Sequence, residues 1–454
     1  MSYRIEKDSM GEIQVPETAF WGAQTERSRQ NFNIGIEKMP IALIKALALV
    51  KKNAAKANEA MGELETAISK AIQTAVDRIM EGEVNEQFPL SLWQTGSGTQ
   101  TNMNVNEVIA HLAAEKGITV HPNDHVNMSQ SSNDVFPTAI HIAAVQMIEE
   151  QLFPVMKKMI QTLHQLESEN EKIIKIGRTH LQDATPVTFA QEISGWRSGL
   201  EHNFQMLALT LQELKQLAIG GTAVGTGLNA SKEYIELFFN YLNEETDSEF
   251  SEDPNKFHAL ASKDAAVFTS GALKALAANA MKMANDIRWM ASGPRSGLGE
   301  ITIPANEPGS SIMPGKINPT QCEALTMIAV QVMGNDTTIG ISASQGNFEL
   351  NVYMPVVAYN LLQSIQLLTD GLRSFNQNCL VGMKADQEKM TQYVEQSLML
   401  VTALNPHIGY DNGAQIAKKA FQENTTLKQA ALALGLVTEA DYDAWVKPEQ
   451  MLGK

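Results

Sequence analysis

Apolar residues recur at helical spacing through the middle of the chain. Between Ile140 and Leu166 they return every three or four positions over about seven turns, which predicts one long amphipathic helix. Pro154 lies inside this stretch and should bend or break the helix, because proline removes a backbone donor. The same spacing between Ile193 and Leu217 predicts a second amphipathic helix.

Two further stretches, residues 259–290 and 320–345, are rich in Ala, Gly, Met and Val and carry few charges. This composition predicts central helices that are buried on most of their circumference. Several long helices without a convincing series of alternating strands predict an all-α fold built around a helix bundle. Because one chain offers too little core to cover helices this apolar, we predict that other subunits complete the bundle.

Segments rich in Gly, Ser, Thr and Asn separate the predicted helices, and loops of such length are often functional. They cover residues 95–106, 121–134, 177–188, 219–230 and 293–319. From about Lys389 onward the helical patterns become shorter and more charged, which predicts a small, separate C-terminal domain.

Composition excludes several classes of function. The 51 acidic and 35 basic residues give a net charge of −16, which opposes binding to nucleic acid or to an anionic membrane. The only cysteines, Cys322 and Cys379, are too few for a four-thiolate zinc or iron–sulfur site, and we expect them to be reduced and buried. The first residues resemble neither a signal peptide nor a transit peptide, so we expect a soluble, cytoplasmic protein.

The segment Pro308–Pro319 (PGSSIMPGKINP) combines two serines, two glycines and a lysine directly before a predicted helix. Asn318 suits the N-cap and Pro319 the first helical turn, so free backbone donors and the positive end of the helix dipole would lie near Lys316. This pattern predicts an anion site. A flexible surface loop is the alternative, since such residues are common in loops.

Two more segments place hydroxyl and amide side chains before a helical pattern: residues 95–102 (TGSGTQTN) and 129–134 (SQSSND). Each can cradle a carboxylate, although taken singly each is also an ordinary helix cap. Their recurrence beside a single lysine suits a small dicarboxylate ligand.

Residues 177–184 (GRTHLQDA) place His180 in a polar turn, where it can exchange protons near neutral pH or serve as an ordinary polar residue. Residues 220–227 (GGTAVGTG) resemble a dinucleotide-binding glycine loop only superficially. No strand–loop–helix unit and no second strand followed by an acidic residue surround them, so we reject nucleotide binding.

Taken together these blocks resemble the signatures of the fumarase/aspartase superfamily along the whole chain, and GSSIMPGKINP is the most specific of them. The resemblance begins at Asp8–Glu12 and Trp21–Thr25 and ends at LNPHIGYD (residues 404–411). The motifs PGK at 314–316, TQCEAL at 320–325 and GNFELN at 346–351 look like class II fumarases rather than aspartate ammonia-lyases.

This resemblance implies an all-α fold of three domains: an N-terminal lyase domain (1–132), a central five-helix bundle (133–388) and a small helical C-terminal domain (389–454). It also implies a homotetramer with twenty core helices, whose active sites each take residues from three subunits. The implied reaction is the reversible anti addition of water to fumarate, which gives (S)-malate through a C3 carbanion in the tricarboxylic acid cycle. No metal and no cofactor are implied.

The resemblance further assigns roles to single residues. Ser310, on a mobile loop, would be the base that takes the C3 proton of malate, and His180, polarised by Glu323, would act through a bound water at the C2 hydroxyl. Lys316 would take part both in catalysis and in binding. The remaining substrate-binding positions would be Ser97, Thr99, Ser131, Ser132, Asn133, Thr179, Ser311 and Asn318.

His121, Asn123 and Asp124 resemble a second, non-catalytic dicarboxylate site of some fumarases. The match is incomplete, because Ile118 stands where those proteins have an arginine, so a structural capping role for Asn123 and Asp124 stays open. Two alternatives to fumarase also remain: an aspartate ammonia-lyase, which uses the same carbanion, and an inactive structural protein with the same fold.

Overall fold

The structure is a computed structural model that describes residues 2–453, and helices dominate it. Within this range there are 17 α-helices and eight short strands. The helices are α1 (Ala23–Asn31), α2 (Ile41–Ala60), α3 (Thr66–Glu81), α4 (Thr99–Ala114), α5 (Ser132–Gln146), α6 (Phe153–Glu169), α7 (Phe189–Leu214), α8 (Lys232–Thr246), α9 (Lys256–Ala261), α10 (Asp264–Met290), α11 (Thr320–Ala343), α12 (Met354–Phe375), α13 (Gln387–Gln396), α14 (Asn405–Ile408), α15 (Tyr410–Glu423), α16 (Leu427–Ala433) and α17 (Glu439–Trp445).

The strands form four two-stranded sheets among the described residues. They are β1 (Tyr3–Asp8), β2 (Gly11–Pro16), β3 (Ile174–Thr179), β4 (Gln182–Thr188), β5 (Gln216–Leu217), β6 (Ser251–Glu252), β7 (Ile301–Thr302) and β8 (Lys384–Ala385). Three pairs are antiparallel, and β5 and β6 are parallel. The predicted all-α fold is confirmed, because these strands are small additions to long helices.

The chain divides into two compact units. The first unit comprises the residues up to Pro154 together with Asn203–Ala277 and Ile328–Thr369. The second comprises Val155–His202, Ala278–Met327 and the residues from Asp370 onward. The three-domain division remains a prediction from the resemblance.

Long helices pack on one another through polar pairs as well as apolar side chains. In the first unit, Ser270 Oγ of α10 donates to Asp336 Oδ1 of α11 at 2.9 Å. Asn335 Nδ2 of α11 lies 3.0 Å from Ser364 Oγ of α12. In the second unit, Trp196 Nε1 of α7 donates to Asp286 Oδ2 of α10 at 2.9 Å. Buried polar groups of this kind need partners, so each pair fixes the register of two helices.

The helix predicted from Ile140 onward is confirmed, but Pro154 does not end it. The α-helix α5 passes into a π-helical turn at Met147–Leu152, and α6 begins directly at Phe153. The wider turn precedes the proline, so the helix accommodates the missing donor by changing its hydrogen-bond pattern. The predicted helix from Ile193 is also confirmed as part of α7.

The two central helices are confirmed as α10 and α11, but the prediction of burial on most of their circumference is wrong for a single chain. Val330 of α11 is 61% exposed, and Met327 and Ile341 on the same face are exposed to a similar degree. Phe268 of α10 is also exposed. Within one chain, nothing in residues 2–453 packs over this stripe of apolar side chains.

Two of the predicted loops are partly regular structure. Residues 177–188 belong to the hairpin of β3 and β4, and residues from Thr99 onward belong to α4. The C-terminal helices share a small core of their own, formed by Val394, Leu404, Ile416, Leu427 and Tyr442. None of the helices within residues 2–453 combines the length and apolar character needed to cross a bilayer.

Candidate active site

In the first unit, three of the predicted hydroxyl residues form one hydrogen-bonded chain. Thr99 Oγ1 lies 2.8 Å from Ser97 Oγ and 2.7 Å from Ser132 Oγ. Thr99 and Ser132 are the first residues of α4 and α5, so both hydroxyls lie where free backbone N–H groups and the helix dipole favour an anion.

Two glycines shape the start of α4. Gly98 has a φ of +73°, and a Cβ at this position would lie 2.2 Å from the Phe136 ring. A Cβ at Gly96 would lie 1.5 Å from the Val352 carbonyl oxygen. A side chain at either position would displace the segment that carries Ser97 and Thr99.

Ser131 caps α5 and thereby fixes Ser132 and Asn133. The Ser131 Oγ accepts the Asn133 backbone N–H at 3.2 Å, and Asp134 Oδ1 accepts the Ser131 N–H at 2.9 Å, which forms a capping box. The Asn133 side chain donates to the Ala223 carbonyl at 2.8 Å.

The glycine-rich stretch at residues 220–227 binds a carboxylate of the protein itself. The backbone N–H groups of Gly220 and Thr222 donate to Asp134 Oδ2 at 3.0 and 2.9 Å. Asp134 is fully buried, and desolvation raises its pKa to about 6 although these hydrogen bonds oppose the shift. Asp134 therefore ties this glycine-rich stretch to the first turn of α5.

These segments line an open pocket of about 430 Å³ in the first unit. Its lining is mostly polar and includes Thr99, Ser131, Ser132, Asn127 and Gln130. We call it the hydroxyl pocket.

Gln24 also lines the hydroxyl pocket, and the buried Glu107 of α4 holds its segment in place. The Glu107 carboxylate accepts the backbone N–H groups of Gly22, Gln24 and Thr25. The WGAQT motif is therefore tied directly to the helix that carries Thr99.

In the second unit, His180 lies at the tip of the β3–β4 hairpin. His180 and Leu181 form the two-residue tip, with φ values of +57° and +59°. Such values are unfavourable for residues with a Cβ, and backbone strain of about 1–3 kcal/mol per residue concentrates at functional sites. Thr179 and His180 are both exposed in the single chain.

A buried charge cluster supports the base of this hairpin. Arg178 Nη1 lies 2.8 Å from Glu300 Oε2, and the carboxylate of Glu300 is fully buried. The buried Lys175 ammonium lies 3.0 Å from Glu192 Oε2 and 3.7 Å from Glu300 Oε2. Removing one partner from such a cluster leaves a buried charge, so the hairpin is firmly anchored although its tip is exposed.

The Ser310 loop is closed on itself. Gly309 N donates to the Lys316 carbonyl at 2.9 Å, and the Asn318 side chain donates to the Gly309 carbonyl at 2.6 Å. A Cβ at Gly309 would lie 2.3 Å from the Lys316 oxygen, so only glycine fits here. Inside the loop, Ser310 Oγ accepts the backbone N–H groups of Ile312 and Met313 at 3.3 and 3.1 Å.

The prediction that Asn318 caps α11 is wrong. The helix begins at Thr320, and the Pro319 carbonyl accepts its first helical hydrogen bond, from Glu323 N at 3.1 Å. Asn318 lies one residue earlier, and its amide is engaged with Gly309 instead. Lys316, Ser311 and Glu323 are exposed in the single chain.

One chain does not bring all of the predicted residues into contact. Ser97, Thr99 and Ser132 touch one another, and Ser310 and Asn318 share a loop. In contrast, His180 and Glu323 make no hydrogen bond or ion pair with each other within residues 2–453.

The residues of the suggested second site form a local turn. The His121 ring Nδ1 accepts the backbone N–H groups of Asn123 and Asp124 at 3.2 and 3.0 Å. The same nitrogen lies 3.2 Å from Asp124 Oδ2, a pair that is ionic only if the ring is protonated. The capping group is thus His121 rather than Asn123 or Asp124, and binding of a dicarboxylate here stays a prediction.

Sequence reasoning missed Lys51, which lies behind the hydroxyl pocket. Its side chain is completely buried, and it donates to Asn127 and Gln130 of the pocket wall. The sequence did contain a signal of this burial. Lys51 follows Leu47 by four residues and precedes Ala54 by three, which places it on the apolar face of a predicted helix. Cys322 and Cys379 are free and buried, as predicted.

Comparison with known families agrees with this fold and these loops. A lyase family profile matches residues 11–334, and a profile described as the fumarase C C-terminus matches residues 400–453. The helical fold and both matches define a lyase of the fumarase/aspartase class.

Full-length relatives identify the family within this class of lyases. A class II fumarate hydratase of Bacillus cereus is 58% identical over all of this chain and 99% of the relative. The crystal structure of a class II fumarase from Schistosoma mansoni superposes with a TM-score of 0.97 at 43% identity, over 99% of both chains. A fumarate lyase/delta crystallin from Brucella melitensis gives a TM-score of 0.94 at 38% identity, over 100% of both chains. The chain belongs to the class II fumarate hydratase family.

Proposed function

We propose that this protein catalyses the reversible anti addition of water to fumarate, which gives (S)-malate, as a step of the tricarboxylic acid cycle in the cytoplasm. Full-length similarity to class II fumarate hydratases supports the reaction. The observation that carries the proposal is the Ser310 loop, where two backbone N–H groups point at one serine oxygen.

A neutral serine is a poor base, and this geometry addresses that difficulty. Hydrogen bonds to the charged form of a group favour that form. The N–H groups of Ile312 and Met313 therefore stabilise a Ser310 alkoxide that removes the C3 proton of malate.

The carbanion that results needs electrostatic stabilisation. Electron density moves into the neighbouring carboxylate, and each well-placed donor in comparable oxyanion sites contributes about 3 kcal/mol. The hydroxyl pocket provides Thr99, Ser131 and Ser132 for this task, and Ser97 and Asn133, which are hydrogen-bonded to them, complete the set. The second unit adds Thr179, Ser311, Lys316 and Asn318.

His180 and Glu323 handle the C2 oxygen in this proposal. The imidazole, polarised by the Glu323 carboxylate, moves a proton through a bound water to the leaving hydroxyl. Because the two residues make no contact within one chain, we assign the His180 and the Glu323 of one working site to different chains.

The active form is accordingly a homotetramer with twenty core helices, in which each site takes residues from three subunits. Two observations support this assembly: the exposed apolar stripe of α11 and the exposure of Thr179, His180 and Lys316 in a single chain. An unpaired apolar face of this kind is typical of a subunit interface.

A paired assay tests the reaction. Purified protein given malate should produce the ultraviolet absorbance of fumarate, whereas protein given aspartate should produce none. Fumarate formed from aspartate alone would make the protein an aspartate ammonia-lyase. Absence of both reactions in a correctly assembled tetramer would identify an inactive structural member of the fold.

A further inference from the structure

Lys51 is a buried cation with unusual partners. It lies on α2 with no exposed surface, and its Nζ donates to Asn127 Oδ1 and Gln130 Oε1, both at 2.9 Å. Among residues 2–453 no carboxylate lies within ion-pair distance of it. Burying a charge without a charged partner is costly, so such a residue calls for a functional reason.

Both partners of Lys51 belong to the wall of the hydroxyl pocket, which Thr99, Ser131 and Ser132 also line. The Asn127 oxygen additionally accepts the side-chain N–H groups of Asn102 and Asn106 at 3.0 and 3.2 Å. Lys51 thus engages the acceptor oxygens of both wall amides. Those oxygens are then unavailable to repel an anion in the pocket.

Asp134 is the nearest candidate for a simple counter-ion, but its own contacts argue against this role. Its carboxylate accepts three backbone N–H groups, from Ser131, Gly220 and Thr222. Burial lowers the pKa of Lys51 to about 7, and the charge of Asp134 opposes this shift only in part. The side-chain nitrogen of Lys51 donates to two neutral amide oxygens and forms no ion pair within residues 2–453.

We propose that Lys51 is a positioning residue of the hydroxyl pocket, which orients Asn127 and Gln130 and selects a doubly charged dicarboxylate. This inference rests on the proposed function for the identity of the ligand. A dianion in the pocket supplies the negative charge that no carboxylate of residues 2–453 provides within ion-pair distance of Lys51. A ligand with one carboxylate supplies less negative charge, so it gains less binding free energy from Lys51.

The test compares the binding of succinate with that of its monoamide, succinamate, by calorimetry on the full-length tetramer. Lys51→Met removes the charge at similar volume. Because hydrogen bonds to charged groups contribute about 1.5–3 kcal/mol, we expect the succinate dissociation constant to rise at least about tenfold. The dissociation constant of succinamate should rise about threefold at most, so the preference for the dianion becomes smaller.

Lys52→Met is the matched control. Lys52 is the next residue on the same helix, but it pairs with Asp77 and Glu245 away from the pocket wall. Its removal should leave both dissociation constants unchanged. Lys51→Gln is the second test variant, since its amide can still donate to a wall residue if the methionine variant does not fold.

If the Lys51 variants bound both ligands equally more weakly, or bound both as tightly as wild type, only the proposed role of Lys51 would be overturned. If wild-type protein bound no succinate, the proposed function itself would fall. The two failures are therefore distinguishable.

Discussion

The hydroxyl pocket of the first unit and the loops of the second unit that carry His180 and Ser310 are built in opposite ways. In the pocket, Thr99 contacts Ser97 and Ser132, and the buried carboxylates of Glu107 and Asp134 hold the surrounding backbone. In the second unit, His180 and Lys316 are exposed in the single chain. The hydroxyl pocket is thus formed by residues of one chain, whereas His180 and Glu323 make no hydrogen bond or ion pair with each other within residues 2–453.

This difference teaches how the proposed chemistry divides between fold and assembly. A rigid, hydrogen-bonded pocket keeps donors oriented before substrate arrives, which is the requirement for electrostatic stabilisation. Proton carriers need access to substrate and water, and exposed hairpin tips and loops give it. We therefore expect changes at Ser310 and His180 to affect mainly turnover and changes in the hydroxyl pocket to affect binding or stability.

The largest effect is expected at Ser310. Ser310→Ala removes the proposed base, so kcat should fall by about 10²–10⁴-fold, the usual contribution of such a group. Ser311→Ala is the comparator and should raise KM more than it lowers kcat. Malate-dependent absorbance measures both constants, and chromatography verifies the tetramer. Turnover at the wild-type level in Ser310→Ala would remove this serine from the role of base.

The second-largest effect is expected for His180→Asn, which should lower kcat by at least about 10²-fold. Glu323→Gln should cost about tenfold, since Glu323 polarises the ring and transfers no proton. Leu181→Asn serves as a control at the other tip residue, because asparagine tolerates positive φ. A larger loss for Glu323→Gln than for His180→Asn would reverse the assigned roles.

A smaller effect, mainly on binding, is expected in the hydroxyl pocket. Thr99→Val breaks the hydrogen-bonded chain to Ser97 and Ser132, and a lost hydrogen bond of about 1–1.5 kcal/mol corresponds to roughly tenfold in KM. Thr74→Val, at a partly exposed threonine of α3 whose hydroxyl donates to the Lys70 carbonyl, should leave KM unchanged. A fall in kcat without any rise in KM would contradict the assignment of the pocket to binding.

The smallest effect is expected in pH-dependent stability. A hydrogen bond to Asp264 raises the pKa of His258 above its usual 6.5, so the folded state binds this proton more tightly than the unfolded state does. The stabilisation is fully present below pH 6.5 and is lost as the pH rises through the higher folded-state pKa. His258 is about half exposed, so solvent screening limits it to under about 1 kcal/mol.

Denaturant unfolding of wild type and His258→Gln at fixed protein concentration measures this contribution. The difference in unfolding free energy should be larger at about pH 6 than at about pH 8. Malate turnover should be the same in both proteins. A difference that grows with rising pH would mean that folding lowers the pKa of His258 instead of raising it.

The long helices were predictable because their apolar spacing is regular, and the cap at Ser131 was predictable from its serine and its aspartate three residues later. The β3–β4 hairpin was not predictable from the sequence. Its strands are short and polar, and its tip is His180–Leu181 instead of the Asn-Gly pair that usually marks such a turn.

Lys51 was also missed, for a different reason. Lys51 and Lys52 are identical neighbours in sequence, and only packing decides that the first is buried behind the pocket while the second pairs with surface carboxylates. Burial of α11 within one chain was overestimated, because the apolar pattern of a core helix also fits a helix that, as we propose, faces another subunit. Local pattern identifies the helix but not the chain that covers it.

The central claim is that a working site combines residues of different chains, and subunit mixing tests it most directly. Ser310→Ala and His180→Asn tetramers, each nearly inactive, are dissociated, mixed and reassembled. We predict that the mixed tetramers regain a substantial fraction of wild-type turnover, because some sites then receive an intact Ser310 from one chain and an intact His180 from another. Mixed tetramers that form but stay as inactive as their parents would contradict the account.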